Sequence, residues 1–156
     1  MTEPRIFNPD NYLQSEAGRV FTEELNAAAW ERIYSEIETL FRSANAATRF
    51  YLVMGVQGGG KTTWVRNNLA SLGQEAIVLD AALPARRHRA RALALVARYD
   101  IHAVAVWIKV SLEQALAQNV LRPADEIVPE FALRSVYSLL EAPAKDEGFS
   151  EILQIT

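Results

Sequence analysis

Three short apolar runs, RFYLVM (49–54), EAIVLD (75–80) and HAVAVWIKV (102–110), are separated by stretches with helical periodicity. This pattern leaves few folds open. Strands that are apolar throughout must be covered on both faces, and strands joined through helices run parallel. The alternation therefore predicts one α/β domain over residues 1–156, with a mostly parallel sheet of about five strands.

The remaining segments fit the same frame. RIFN (5–8) reads as a short strand ended by Pro9, and EILQIT (151–156) as a last strand. In NAAAWERIYSEIETLFRSANA, residues Trp30, Ile33, Tyr34, Ile37, Leu40 and Phe41 recur at helical spacing. ARRHRARALALVARY is a second helix. SLEQALAQN opens with Ser111 and Gln114 in a capping box, and another helix starts near Pro129 with Leu133, Val136, Tyr137 and Leu140 on one face. Trp30, Trp64 and Trp107 are expected in the core, and His88 and His102 in structural or exposed places.

Composition narrows the chemistry. The chain has 156 residues, a net charge of -3 and no cysteine, so disulfides and thiolate metal sites are ruled out. Two histidines without neighbouring ligands make no zinc site. The acidic balance gives no global attraction to nucleic acid, so any basic site must be local. No apolar run approaches the roughly 18 residues of a membrane span, and a cytoplasmic protein is the expectation.

Between the strand at 49–54 and a helix from about Lys61 to Leu72 lies GVQGGGKTT. Gly55, four residues, then Gly60-Lys61-Thr62 is the phosphate-loop pattern, in its required strand–loop–helix context. Glycines let backbone N–H groups converge on phosphate oxygens, and the helix N-terminus adds positive dipole. Gly55, Gln57, Gly58, Gly59, Gly60, Lys61, Thr62 and Thr63 are thus the expected nucleotide-binding residues. Lys61 reaches the β- and γ-phosphates, and the Thr62 hydroxyl can ligate Mg²⁺. Asp80 and Asp10 each follow a strand, where carboxyl ends gather at a ligand crevice; each reads as a site carboxylate or as a turn cap. The basic run at 85–91 reads as a solvated helix face, or at Arg89 as a substrate contact. Arg122, isolated in a polar stretch between helices, suits a lid over about 112–128.

From Gly55 to the end the chain resembles the kinase domain of the polynucleotide 5′-hydroxyl kinases, within the wider group that includes zeta-toxin-like kinases. The resemblance rests on GVQGGGKTTW, IVLDAALPARRHRAR, SLEQALAQNVLR, the VP at 128–129 and LLEAPAKDEGFSEILQI, in that order. It implies a three-layer P-loop NTPase sandwich, with ATP as phosphate donor and Mg²⁺ as cofactor. By position it implies that Arg122 is the lid arginine and that Asp80 and Arg89 lie on the acceptor side. Asp80 is also a candidate Mg²⁺ ligand beside Thr62.

The chain departs from the family in one large respect. The family's strand ending in the proton-accepting Asp normally follows the phosphate-loop helix, and only a short connection stands there. RIFNPDNYLQSEAGR at the N-terminus resembles that missing piece. Two readings of 1–48 follow: a displaced strand–helix unit in a circular-permutation-like arrangement that brings Asp10 to the site as base, or an added helical arm in which Asp10 caps a turn. Ala81, Ala82, Val120 and Leu121 also replace polar residues of the family, which weakens the acceptor and lid contacts. The expected function is an ATP-dependent kinase acting on a hydroxyl, foremost a polynucleotide 5′-hydroxyl. The alternatives are a small metabolite or sugar nucleotide as acceptor, and a nucleotide-binding module without transfer.

Overall fold

The computed structural model describes residues 5–15, 18–19, 22–56 and 60–156. The strands are β1 (Arg5–Phe7), β2 (Gln14–Ser15), β3 (Gly18–Arg19), β4 (Arg49–Met54), β5 (Ala76–Asp80), β6 (His102–Ile108) and β7 (Glu151–Ile155). The helices are α1 (Glu23–Arg42), α2 (Lys61–Leu72), α3 (Arg86–Tyr99), α4 (Leu112–Asn119) and α5 (Glu130–Ser138). Five strands form one sheet in the order β1-β5-β4-β6-β7, and every pairing within it is parallel. β2 and β3 form a small separate antiparallel pair that the sequence pattern does not announce.

Alternation along the strands divides the core into two layers. Phe50, Leu52 and Met54 of β4 face Ile33, Ile37 and Phe41 of α1 and Leu93 and Val96 of α3. Val53 of β4, with Val78, Val104 and Val106, faces Val65 and Leu69 of α2. A third small cluster, Val56, Ala115 and Leu133, seats α4 and α5 beside the glycine loop. Trp30, Trp64 and Trp107 all pack against these clusters, as the sequence implies.

The N-terminal unit belongs to this core. Phe7 of β1 pairs in register with Leu79 of β5, at the sheet edge. α1 buries Ile33, Tyr34, Ile37 and Phe41, so it is a packed layer and not an added arm. It starts at Glu23, earlier than the apolar stripe suggests, because the Thr22 hydroxyl accepts the Leu25 N–H at 3.0 Å.

α3 begins with an unusual cap. His88 Nδ1 accepts the Ala85 backbone N–H at 3.1 Å, which only the unprotonated nitrogen can do. Burial, then the Arg87 and Arg89 charges, push the His88 pKa below its ordinary 6.5. Folding therefore favours the neutral ring. The resulting stability is complete above the unfolded value and is lost as pH falls through the lower folded one. Melting temperature is expected to drop further between pH 7 and 5 in the wild type than in His88→Gln; parallel melting curves would contradict this role.

Candidate functional site

β4 ends in the glycine loop, and two glycines there are required by geometry. A Cβ on Gly55 would lie 2.7 Å from the Ile108 carbonyl oxygen at the end of β6. Gly60, with φ 104°, turns the chain in the left-handed region into the first turn of α2. Gln57, Gly58 and Gly59 lie outside the described residues. Lys61 is the first residue of α2, and its Nζ donates to the Val56 carbonyl at 3.2 Å. Thr62 and Thr63 follow on the exposed first turn.

The loop after β4 leads to α2 on one face of the sheet, and the loop after β5 leads to α3 on the other. Adjacent strands whose connections diverge in this way open a crevice at their carboxyl ends. Asp80, the last residue of β5, stands in it with only 3% of its surface exposed. Its Oδ2 accepts the Thr62 hydroxyl at 3.0 Å and the Asn8 amide at 3.4 Å. Its Oδ1 is buried and has no hydrogen-bond partner among the described residues.

Asp10 follows β1 at the sheet edge, where β1 pairs with β5. It sits in a 3₁₀ turn, Pro9–Tyr12, that starts directly after β1. Asn8 caps the turn, its Oδ1 accepting the Asp10 N–H at 2.9 Å, and Pro9 supplies the fixed φ at the first position. Tyr12 anchors the other end by donating to Glu36 of α1 at 2.8 Å. Burial, reinforced by the Glu36 bond, pushes that phenol up to about 12.

Burial pushes the Lys61 ammonium down; the Asp80 and Asp10 carboxylates oppose that, while Arg122 adds to it. Burial pushes the Asp80 carboxyl up, and Asp10 adds to the shift. Lys61, the Thr62 hydroxyl and the Asn8 amide hold it down. Lys61 thus feels charges from residues scattered over more than a hundred positions of sequence.

Arg122 comes from the segment expected as a lid. That segment is half helix: α4 occupies Leu112–Asn119, and a loop containing a 3₁₀ turn at Ala124–Glu126 follows. The buried Asn119 closes the loop, donating to the Val128 carbonyl at 2.6 Å and accepting the Val128 N–H at 3.0 Å. Nη1 of Arg122 is buried without a hydrogen-bond partner among the described residues. Beside it opens a cavity of about 540 Å³, bordered by Gly60, Thr63, Trp64, Asn68 and Gln118.

Arg89 is not part of this site. The residue is fully buried, at 0% exposure. The guanidinium grips Glu147 through Nε at 2.8 Å and Nη2 at 3.0 Å, and Nη1 donates to the Leu83 carbonyl at 3.0 Å. A side chain held inside the fold in this way is not available to an acceptor, which corrects the assignment implied by the resemblance. Arg86 and Arg91 are surface residues paired with Asp146 and Glu31. His102 pairs with Glu151 at the far end of the sheet, where β6 begins.

The donor set fits a hard cation held partly by a nucleotide. Among the described residues no three His, Cys, Asp or Glu side chains converge as a metal cage. Mg²⁺ does not need one: it is usually held by one or two carboxylates together with phosphate oxygens and water. The unpartnered Asp80 Oδ1 beside the Thr62 hydroxyl is such a partial set. Among the described residues no helix is long and apolar enough to cross a membrane. The chain matches no protein-family model and no curated protein at a significant level.

Proposed function

We propose that this protein is an ATP-dependent kinase that transfers the γ-phosphate to a hydroxyl group. The observation that carries this reading is the hydrogen-bonded join at the carboxyl ends of the parallel strands: Thr62, in the first turn of α2, donates to Asp80, and Asn8 links Asp80 to the turn that holds Asp10. Phosphoryl transfer asks for a group to receive the hydroxyl proton and for cations around the transferred phosphate. In this reading Asp10 accepts the proton as the acceptor oxygen bonds to the γ-phosphorus and the bond to the ADP oxygen breaks. Lys61 and Arg122 take up charge on the transferring and leaving oxygens. Mg²⁺, held by Thr62 and Asp80, would neutralise phosphate charge when bound. The cavity beside Gly60 and Thr63 is large enough for a nucleoside, and Trp64 offers it an apolar ring.

The acceptor class follows the resemblance: a polynucleotide 5′-hydroxyl. Burial of Arg89 favours the second reading, a small metabolite or sugar nucleotide, because it removes one basic contact from the acceptor side. The deciding experiment is γ-phosphate transfer from labelled ATP, with Mg²⁺, to a 5′-hydroxyl oligonucleotide and to a panel of sugar nucleotides. Label on the oligonucleotide supports the first acceptor, and label on a sugar nucleotide the second. ATP binding without transfer to either would leave a nucleotide-binding module. Absence of ATP binding would overturn the reading altogether.

A further inference from the structure

Asn8 joins the backbone of Asp10 to the carboxylate of Asp80 through a single amide, and its orientation is fixed by the backbone. The Asp10 N–H is a donor, so the Asn8 atom that meets it at 2.9 Å must be the oxygen. The amide nitrogen then necessarily faces Asp80, whose Oδ2 it meets at 3.4 Å. The sheet register explains why these residues meet. Ile6 is opposite Val78 and Phe7 opposite Leu79, so the next step along both strands brings Asn8 beside Asp80. Continuing from Asp80, the same Oδ2 accepts the Thr62 hydroxyl at 3.0 Å. An unbroken hydrogen-bonded path thus runs from the Asp10 turn to the first turn of α2.

Asp10 and Asp80 carry like charges, and Asp10 disfavours the charged form of the buried Asp80. A neutral side chain that accepts on one side and donates on the other holds both without adding charge. Ser or Asp at this position would cap the turn equally well. Only a side chain with an amide adds the donor toward Asp80.

We infer that Asn8 is a positioning residue, which sets where the Asp10 carboxylate stands relative to Asp80 and Thr62. The inference rests on the kinase reading, in which Asp10 must face the acceptor hydroxyl while Thr62 and Asp80 serve the phosphate side. Its role is exerted through Asp10, so it belongs to the chemical step and not to nucleotide binding.

Two substitutions isolate the bridge from the cap. Asn8→Ser keeps the cap and loses the donor; Asn8→Asp keeps the cap and turns the donor into a third carboxylate. With 5′-hydroxyl oligonucleotide and ATP as substrates, kcat is expected to fall about tenfold in Asn8→Ser and about 10²-fold in Asn8→Asp, the scale of a base misplaced by about an ångström. In Asn8→Ser the KM for ATP and the melting temperature are expected to stay at wild-type values, while the charge added in Asn8→Asp also raises the KM for ATP. Wild-type kcat in both variants would overturn the inference, and so would losses of kcat that follow losses of melting temperature. A wild-type protein that transfers phosphate to neither the oligonucleotide nor a sugar nucleotide would remove the kinase reading, and this inference with it; if only a sugar nucleotide is labelled, the same comparison is made with that acceptor, and normal transfer in all three proteins would remove this inference alone.

Discussion

Asp10→Asn is expected to slow phosphoryl transfer by about 10²–10⁴-fold, the range for losing a general base. The substitution is nearly isosteric, and the turn that holds the side chain depends on the Asn8 cap and the Tyr12–Glu36 bond, neither of which it touches. ATP binding should therefore survive. In the kinase reading Asp10 is a negative charge near the bound phosphates, so ATP binding is expected to tighten slightly. Lys61→Ala should behave in the opposite way. It removes the cation of the loop itself, so ATP affinity and turnover fall together. Pre-steady-state transfer and equilibrium ATP binding, measured on both variants, separate these effects. If Asp10 only terminates β1, Asp10→Asn will turn over at the wild-type rate, and the base must be sought elsewhere.

How much of this was legible in the sequence depends on the distance over which each feature acts. The parallel sheet and the short strand β1 follow from local patterns: apolar runs, helical stripes, and a strand–Asn–Pro–Asp punctuation at 5–10. Lys61 and Thr62 stand out through the phosphate-loop spacing. The cavity is different, because it is bounded by α2, the end of β6, α4 and the chain terminus, and no local pattern records that they meet. Asn8 carries no local signal of its partnership with Asp80, since only the strand register brings the two together. Arg89 carried a signal that the charge pattern hid. Counted along α3, it shares one stripe with Ala92, Leu93 and Val96, all of them buried. Helical spacing thus points Arg89 inward, against its basic neighbours, and an inward arginine needs an acid from elsewhere in the chain.

That acid is Glu147, and separating the pair is expected to be the most damaging stability change in the molecule. The two side chains are 1% and 5% exposed, so removing either one strands a charge that water cannot reach. Breaking such a pair typically costs about 3–5 kcal/mol, which for a domain of this size lowers the melting temperature by roughly 10 °C. The pair also organises backbone. Leu83 has a φ of 41°, uncommon for a leucine, and Arg89 Nη1 donates to the carbonyl of this same residue. Glu147 in turn accepts the Ala144 N–H at 2.9 Å, ahead of the turn that leads through Phe149 into β7. Arg89→Ala and Glu147→Ala should therefore each lower the melting temperature by about the amount above. Combining Arg89→Met with Glu147→Leu should recover part of it, because two apolar chains replace a buried ion pair at little cost; the Leu83 carbonyl still loses its donor, so recovery stays incomplete. An acceptor-binding Arg89 predicts the reverse: an unchanged melting temperature in Arg89→Ala and a raised KM for the acceptor alone.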